Sequence, residues 1–133
     1  MLKINNKEYK VLTSEIKYIN ATHNERKGYS ILVSLDIELN KVKGYISFYV
    51  DFFKDKDFKN IKNRKYIELP TELNSKITMI EIFDTANFID FIDFIDSEVN
   101  LEFGNIYNNQ IEMKLNINDE LIKLEYKGLL NIK

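Results

Sequence analysis

Three passages of the chain hold side chains that could do chemistry. Asp90, Asp93 and Asp96 recur at every third position of a Phe-Ile-Asp repeat running from Phe88 to Asp96. Six cations, Lys54, Lys56, Lys59, Lys62, Arg64 and Lys65, crowd one short stretch, with Phe52, Phe53, Phe58 and Tyr66 among or beside them and Asp55 and Asp57 interrupting. His23 is the only histidine and lies in a polar stretch close to Arg26.

Each passage can be matched to the chemistry it would support. Carboxylates are oxygen ligands for hard cations. Spaced at i, i+3 and i+6 on a helix, however, the three aspartates drift round the axis and do not converge on one point. They read either as a solvated face or as an acidic contact surface for a basic partner, and Asp90, Asp93 and Asp96 are the candidate binding residues on that ground. Cations interleaved with aromatics can track and stack on single-stranded nucleic acid. A net charge of −2 opposes the usual nucleic-acid footprint, so a solvated connection is the expected reading of the basic run. A Ser-His-Asp triad would have to use His23, and a multi-histidine metal site is impossible. With no cysteine, disulfides and thiolate metal sites are excluded as well. Phosphate-loop, dinucleotide, nucleophile-elbow and zinc signatures are absent. No catalytic residue, metal ligand or cofactor is assigned.

The elements that must carry these residues show in the periodicity. From Tyr29 to Phe53, apolar residues alternate strictly with other residues: Tyr29, Ile31, Val33, Leu35, Ile37 and Leu39, then Val42, Gly44, Ile46, Phe48, Val50 and Phe52. Alternation is the signature of a half-buried strand, because successive side chains point to opposite faces. A two-residue turn at Asn40-Lys41 sets Leu39 opposite Val42, Leu35 opposite Ile46, Val33 opposite Phe48 and Tyr29 opposite Phe52, and pairs Glu38 with Lys43 on the other face. Any even loop keeps the apolar rows matched; an odd loop without a bulge would turn one of them to solvent. Leu32, Tyr45 and Tyr49 then stand on the outer face, either as the floor for another element or as an exposed aromatic patch.

Around this hairpin, Leu2 to Ile4 and Tyr9 to Leu12 predict an opening hairpin about Asn5-Asn6, and Glu15 to Ile19 a further strand. Asn20 to Gly28 reads as a polar loop. A helical turn is expected at Phe58 and Ile61, a short strand at Tyr66 to Leu69 before Pro70, and an alternating strand from Lys76 to Phe83. Phe88 to Asp96 reads as a helix, since helical spacing gathers its six apolar residues into one arc and its aspartates into an opposite stripe, with Asp84 or Thr85 as N-cap. Negative charge in its last turn is unfavourable by about 0.3–1 kcal/mol per residue. Val99 to Phe103, Ile111 to Ile117 and Ile122 to Leu130 alternate again. For the last hairpin, a four-residue loop, Asn118 to Leu121, places Lys114 opposite Glu125 and Glu112 opposite Lys127, and is preferred on charge.

These elements predict one mainly antiparallel β domain over residues 1–133, a barrel or a two-sheet sandwich with one short helix; an α+β fold with one curved sheet is the alternative. No apolar run reaches the ~18 residues of a membrane span. The start of the chain lacks an apolar signal core, so a cytoplasmic location is expected. Heavy use of Ile, Asn and Lys suggests an AT-rich, bacterial genome. The expected function is a non-enzymatic protein–protein interaction module, with a bacterial immunity or antitoxin-like inhibitor as one concrete form and a basic protein as its partner. A β-barrel carrier of a small apolar ligand and an enzyme without a recognisable motif are the alternatives.

Overall fold

Asparagine shapes the turns of this chain. Asn5, Asn6, Asn40, Asn63 and Asn108 all have positive φ, joined by Glu25 and Lys41, whereas no glycine does. Asparagine tolerates the left-handed region better than other residues with a side chain, because its short amide bonds locally. Asn5-Asn6 and Asn40-Lys41, with both central residues left-handed, are the two-residue turns whose twist suits flanking antiparallel strands.

A computed structural model describes residues 1–23, 25–68, 76–84, 98–120 and 122–133. Among these residues nine strands form one sheet: β1 (Leu2–Ile4), β2 (Lys7–His23), β3 (Arg26–Leu39), β4 (Val42–Phe53), β5 (Lys65–Glu68), β6 (Ile77–Asp84), β7 (Glu98–Tyr107), β8 (Gln110–Asn118) and β9 (Lys123–Ile132). Their order is β5-β7-β8-β9-β1-β2-β3-β4-β6. The architecture is mainly β and antiparallel, as the alternation predicts, in the form of one sheet that is not closed. The only parallel contact among the described residues sets Glu15 and Ile16 of β2 beside Asn131 and Ile132 of β9. A 3-10 turn, Phe58–Asn60, precedes the fully buried Ile61 where one helical turn is expected. The helix expected over Phe88 to Asp96 lies outside the described residues, as does Thr85; Asp84 is the last residue of β6.

The main hairpin has the expected register. Leu39 pairs with Val42, Leu35 with Ile46, Val33 with Phe48 and Glu38 with Lys43. Ile31, Val33, Leu35, Ile37, Ile46, Phe48 and Val50 are wholly buried. The opening hairpin also pairs as expected, Leu2 with Tyr9 and Ile4 with Lys7.

Four expectations need correction. Tyr29 pairs with Phe53, not Phe52, because a bulge shifts the ladder between Tyr29 and Ile31. Asn20 to Gly28 is not a loop: β2 and β3 stay paired through Asn20–Tyr29, Ala21–Gly28 and Thr22–Lys27 to His23–Arg26. Polarity misled here, because the hairpin runs past the core and needs no apolar row to keep its ladder. In β6 the inward residues are Ile77, Ile80 and Ile82, not a strict alternation, since a bulge between the Ser47 and Tyr49 pairings resets the phase. Finally, β8 and β9 pair two residues away from the charge-preferred register. Asn118 meets Lys123, Lys114 faces Lys127 and Glu112 faces Leu129. A surface charge pair contributes only ~0.2–1 kcal/mol. Moving the turn to residues 119–122 lets Ile122 bury its side chain and lets Lys123 exchange bonds with Asn5, whose Oδ1 accepts from Lys123 N while its N donates to Lys123 O.

One carboxylate ties the two edge strands of the sheet together. Glu68, at the end of β5, is 6% exposed, and its Oε1 accepts from the backbone N–H of Lys76 at 2.7 Å and of Ile77 at 3.3 Å, where β6 begins. A side-chain oxygen thus stands in for the missing ladder carbonyl. Removing it takes a charged acceptor from the N–H groups of Lys76 and Ile77, and a hydrogen bond to a charged group contributes ~1.5–3 kcal/mol. Glu68→Ala is therefore expected to lower the denaturation midpoint clearly, and Glu68→Gln, which keeps an acceptor oxygen, to lower it less; equal effects in urea melts would refute the acceptor role.

Candidate functional site

The sequence-derived site residues divide between described and undescribed regions. Asp90, Asp93 and Asp96 lie outside the described residues. His23 closes β2 and pairs with Arg26 across the hairpin tip. The basic run is described, and its aromatic neighbours are committed to packing. Phe53, Phe58 and Tyr66 are half-buried against the core. Tyr18 gathers the same cluster, with ring centres 4.7 Å from Phe58, 5.9 Å from Phe53 and 6.3 Å from Tyr29. Its hydroxyl donates to Asp57 O and accepts from Asn60 Nδ2. This cluster closes one end of the core and anchors the basic run over it.

Beyond that closure the β2–β3 hairpin continues as an arm. The face of the arm that continues the buried side of the sheet bears Asn20, Thr22, Lys27 and Tyr29 and, with Lys54, lines a cup of about 420 Å³. The Lys56 ammonium sits 5.1 Å from the centre of the Tyr29 ring. Gly28 permits the close passage of β4 behind it, since a Cβ there would come within 2.7 Å of Phe53 O and collide with the Phe52 ring.

Two further polar grooves lie on the outer face of β5, β7, β8 and β9. One, of about 360 Å³, is lined by Glu102, Gly104, Glu112, Lys114, Lys127 and Leu129, among others. Its neighbour, of about 230 Å³, shares Glu102 and Lys114 and adds Lys65, Ile67, Asn100 and Asn116. Register puts Lys65, Glu102, Lys114 and Lys127 in one row across the four strands. Lys65 and Glu102 are 4.0 Å apart and exposed, so their attraction contributes little to stability. Lys114 and Lys127 stand side by side as like charges, an arrangement that is destabilising in a cross-strand pair.

The outer face of β3, β4 and β6 is organised by residues that sequence reasoning missed. Asp51 accepts from Ser30 Oγ through Oδ1 and from Thr78 Oγ1 through Oδ2, the latter at 2.8 Å. Asp51 N donates to Lys76 O at 2.8 Å. The cluster joins three strands beside the two bulges, so its role is to hold the ladder together where the register shifts. Nearby, Tyr45 stacks on Phe83 at 5.5 Å and donates to Glu81. Tyr45 is 38% exposed, so it is not a covered floor among the described residues.

Among the described residues, no group of three or more His, Cys, Asp or Glu side chains is placed to hold a metal ion, and no helix is long and apolar enough to cross a membrane. No protein-family model matches the chain, and neither a curated protein nor a solved structure is detectably similar to it.

Burial raises the pKa of three tyrosines, Tyr18, Tyr66 and Tyr126; hydrogen bonds from Asn60 to Tyr18 and from Ser14 to Tyr126, and the charge of Arg64 near Tyr66, offset it in part. Above the ordinary tyrosine value of about 10 the unfolded chain loses protons that the folded chain retains, so stability falls as pH rises toward the folded values. Below that value these groups are neutral in both states and add no pH dependence. In an alkaline titration, Tyr18, Tyr66 and Tyr126 at least are expected to ionise late, in step with loss of the β circular-dichroism signal. Complete tyrosinate absorbance with the fold intact would contradict this burial.

Proposed function

We propose that this chain is a non-enzymatic protein–protein interaction module. The observation that carries the reading is the Lys114–Lys127 pair. The register that seals the core sets two lysines opposite each other in the lining of an open groove, a like-charge pairing that an acidic group from a partner would offset. The groove's other residues suit a protein contact: Glu102 and Glu112 supply acceptors, and Leu129 and Ile67 add exposed apolar area. Mixed charge of this kind selects partners and speeds encounter more than it adds raw affinity.

A bacterial immunity or antitoxin-like inhibitor is the concrete form of this proposal. In it, Asp90, Asp93 and Asp96 would meet a basic region of the partner, while Lys114 and Lys127 would meet an acidic one. The carrier reading draws less support. The inward side chains form one contiguous apolar cluster, and the three grooves described above open on the outside of the sheet or on the arm.

Replacing both Lys114 and Lys127 with Glu tests the module reading. The variant is expected to melt close to the parent, because both side chains are exposed, and to associate more slowly with a protein captured from the native organism. The difference should shrink as salt rises. If every captured protein binds the folded variant as fast as the parent at low salt, this groove is not the contact surface.

A further inference from the structure

Among the described residues, the arm formed by β2 and β3 has one edge with no strand along it, beside a cup that holds Lys27 and Lys54. β2 is covered on its second edge first by β1 and then, at Glu15 and Ile16, by β9. The last bond on that edge runs from Lys133 N to Ile16 O. In an antiparallel strand the polar groups of alternate residues point to the same side. The N–H and C=O groups of Tyr18, Asn20 and Thr22 therefore point away from β3, as those of Ile16 do. Among the described residues, no strand lies along them. An edge of this kind is a template for a further strand.

The charge beside that edge specifies what the strand carries. Lys27 and Lys54 line the cup and Lys56 lies over the Tyr29 ring, and the sequence of the hairpin tip and of residues 54–62 adds Arg26, Lys59 and Lys62 against Glu25, Asp55 and Asp57, in a chain whose net charge is −2. Lys27 and Lys54 line the cup together with the side chains of Asn20 and Thr22, the same residues whose backbone groups face outward. A strand added to β2 would project every second side chain toward those ammonium groups.

We propose that the outer edge of β2 from Tyr18 to Thr22 binds an extended acidic peptide segment of a partner protein by strand addition, with alternate carboxylates in the cup beside Lys27 and Lys54. This rests on the reading of the chain as a protein-binding module and names the chemistry of one partner segment. Main-chain bonds would supply affinity and the cup would supply selectivity. Two other occupants fit less well. A second copy would bring two cationic arms together. Single-stranded nucleic acid would leave the peptide groups of β2 unmatched, and the Tyr29 ring already carries Lys56 on one face.

Labelled synthetic peptides test the proposal without any captured partner, so its failure leaves the test at Lys114 and Lys127 independent. The probe is a peptide of alternating Glu and Thr, followed by fluorescence anisotropy with the full chain. Two further peptides are N-methylated at every second amide, one in each phase. Side-chain alternation fixes which amides face β2, because a one-residue slip would turn the carboxylates away from the cup. One methylated phase should lose binding and the other should keep it. The double substitution Lys27→Glu with Lys54→Glu, at exposed positions, should weaken the parent peptide by about tenfold or more, with the loss shrinking at high salt. Equal binding of both methylated phases would overturn strand addition. Tighter binding of an oligothymidylate than of the peptide would assign the cup to nucleic acid instead. Absence of saturable peptide binding, or concentration-dependent self-association through the arm, would also overturn it.

Discussion

The long strand β2 is the constraint on which the rest of the structure depends. It pairs with β3 at thirteen positions, from Lys10 to His23. Its other edge is shared. β1 is only three residues long and wedges between β2 and β9, after which β2 and β9 meet directly. The terminal amino group donates to Lys127 O, Lys127 N donates to Met1 O, and Ser14 Oγ donates to Leu129 O where the strands rejoin. This junction connects the N-terminal and C-terminal halves of the sheet through hydrogen bonds, while the apolar cluster beneath runs through both.

The inward face sets the register everywhere, and the outward face takes what remains. Bulges in the β2–β3, β3–β4, β4–β6 and β7–β8 ladders change the local phase and bend the strands. Ile77, Ile80 and Ile82 stay inside across one of them. At another, Glu112 accepts from Asn105 N, so a side chain occupies a bond that the ladder has released. Glu68 does the same at the edge strands, whereas Asp51 of β4 accepts from the hydroxyls of Ser30 and Thr78. The Lys114–Lys127 pairing is the outward counterpart: core burial outweighs a surface charge preference and leaves two lysines opposite each other in a groove of mixed charge.

Much of this was legible in the sequence because it follows from period and turn chemistry. The apolar rows of Tyr29 to Phe53, the turns at Asn5-Asn6 and Asn40-Lys41, and the inward rows of the last three strands follow from both. Bulges escape such reading, since one extra residue leaves no mark in composition; hence Phe53 rather than Phe52 opposite Tyr29. The polar arm from Asn20 to Gly28 reads as a loop in the sequence because it lacks a buried row. Ser30, Asp51 and Thr78 carry no spacing motif and meet only through pairing of three strands. The cup likewise joins Asn20, Lys27 and Lys54 from separate passages, and its chemistry was visible only as the local excess of lysine.

The central claim is that β2 is paired with β3 from Lys10 to His23 and that, among the described residues, no strand covers its other edge beyond Ile16. Amide hydrogen exchange, resolved residue by residue by nuclear magnetic resonance, measures this directly. The account predicts alternation along the arm: slow exchange at Lys17, Ile19 and Ala21, whose N–H groups face β3, and fast exchange at Tyr18, Asn20 and Thr22. Uniform protection over Lys17 to Thr22 would mean that the edge is covered, and uniform fast exchange would mean that the arm is not paired; either result would contradict the account.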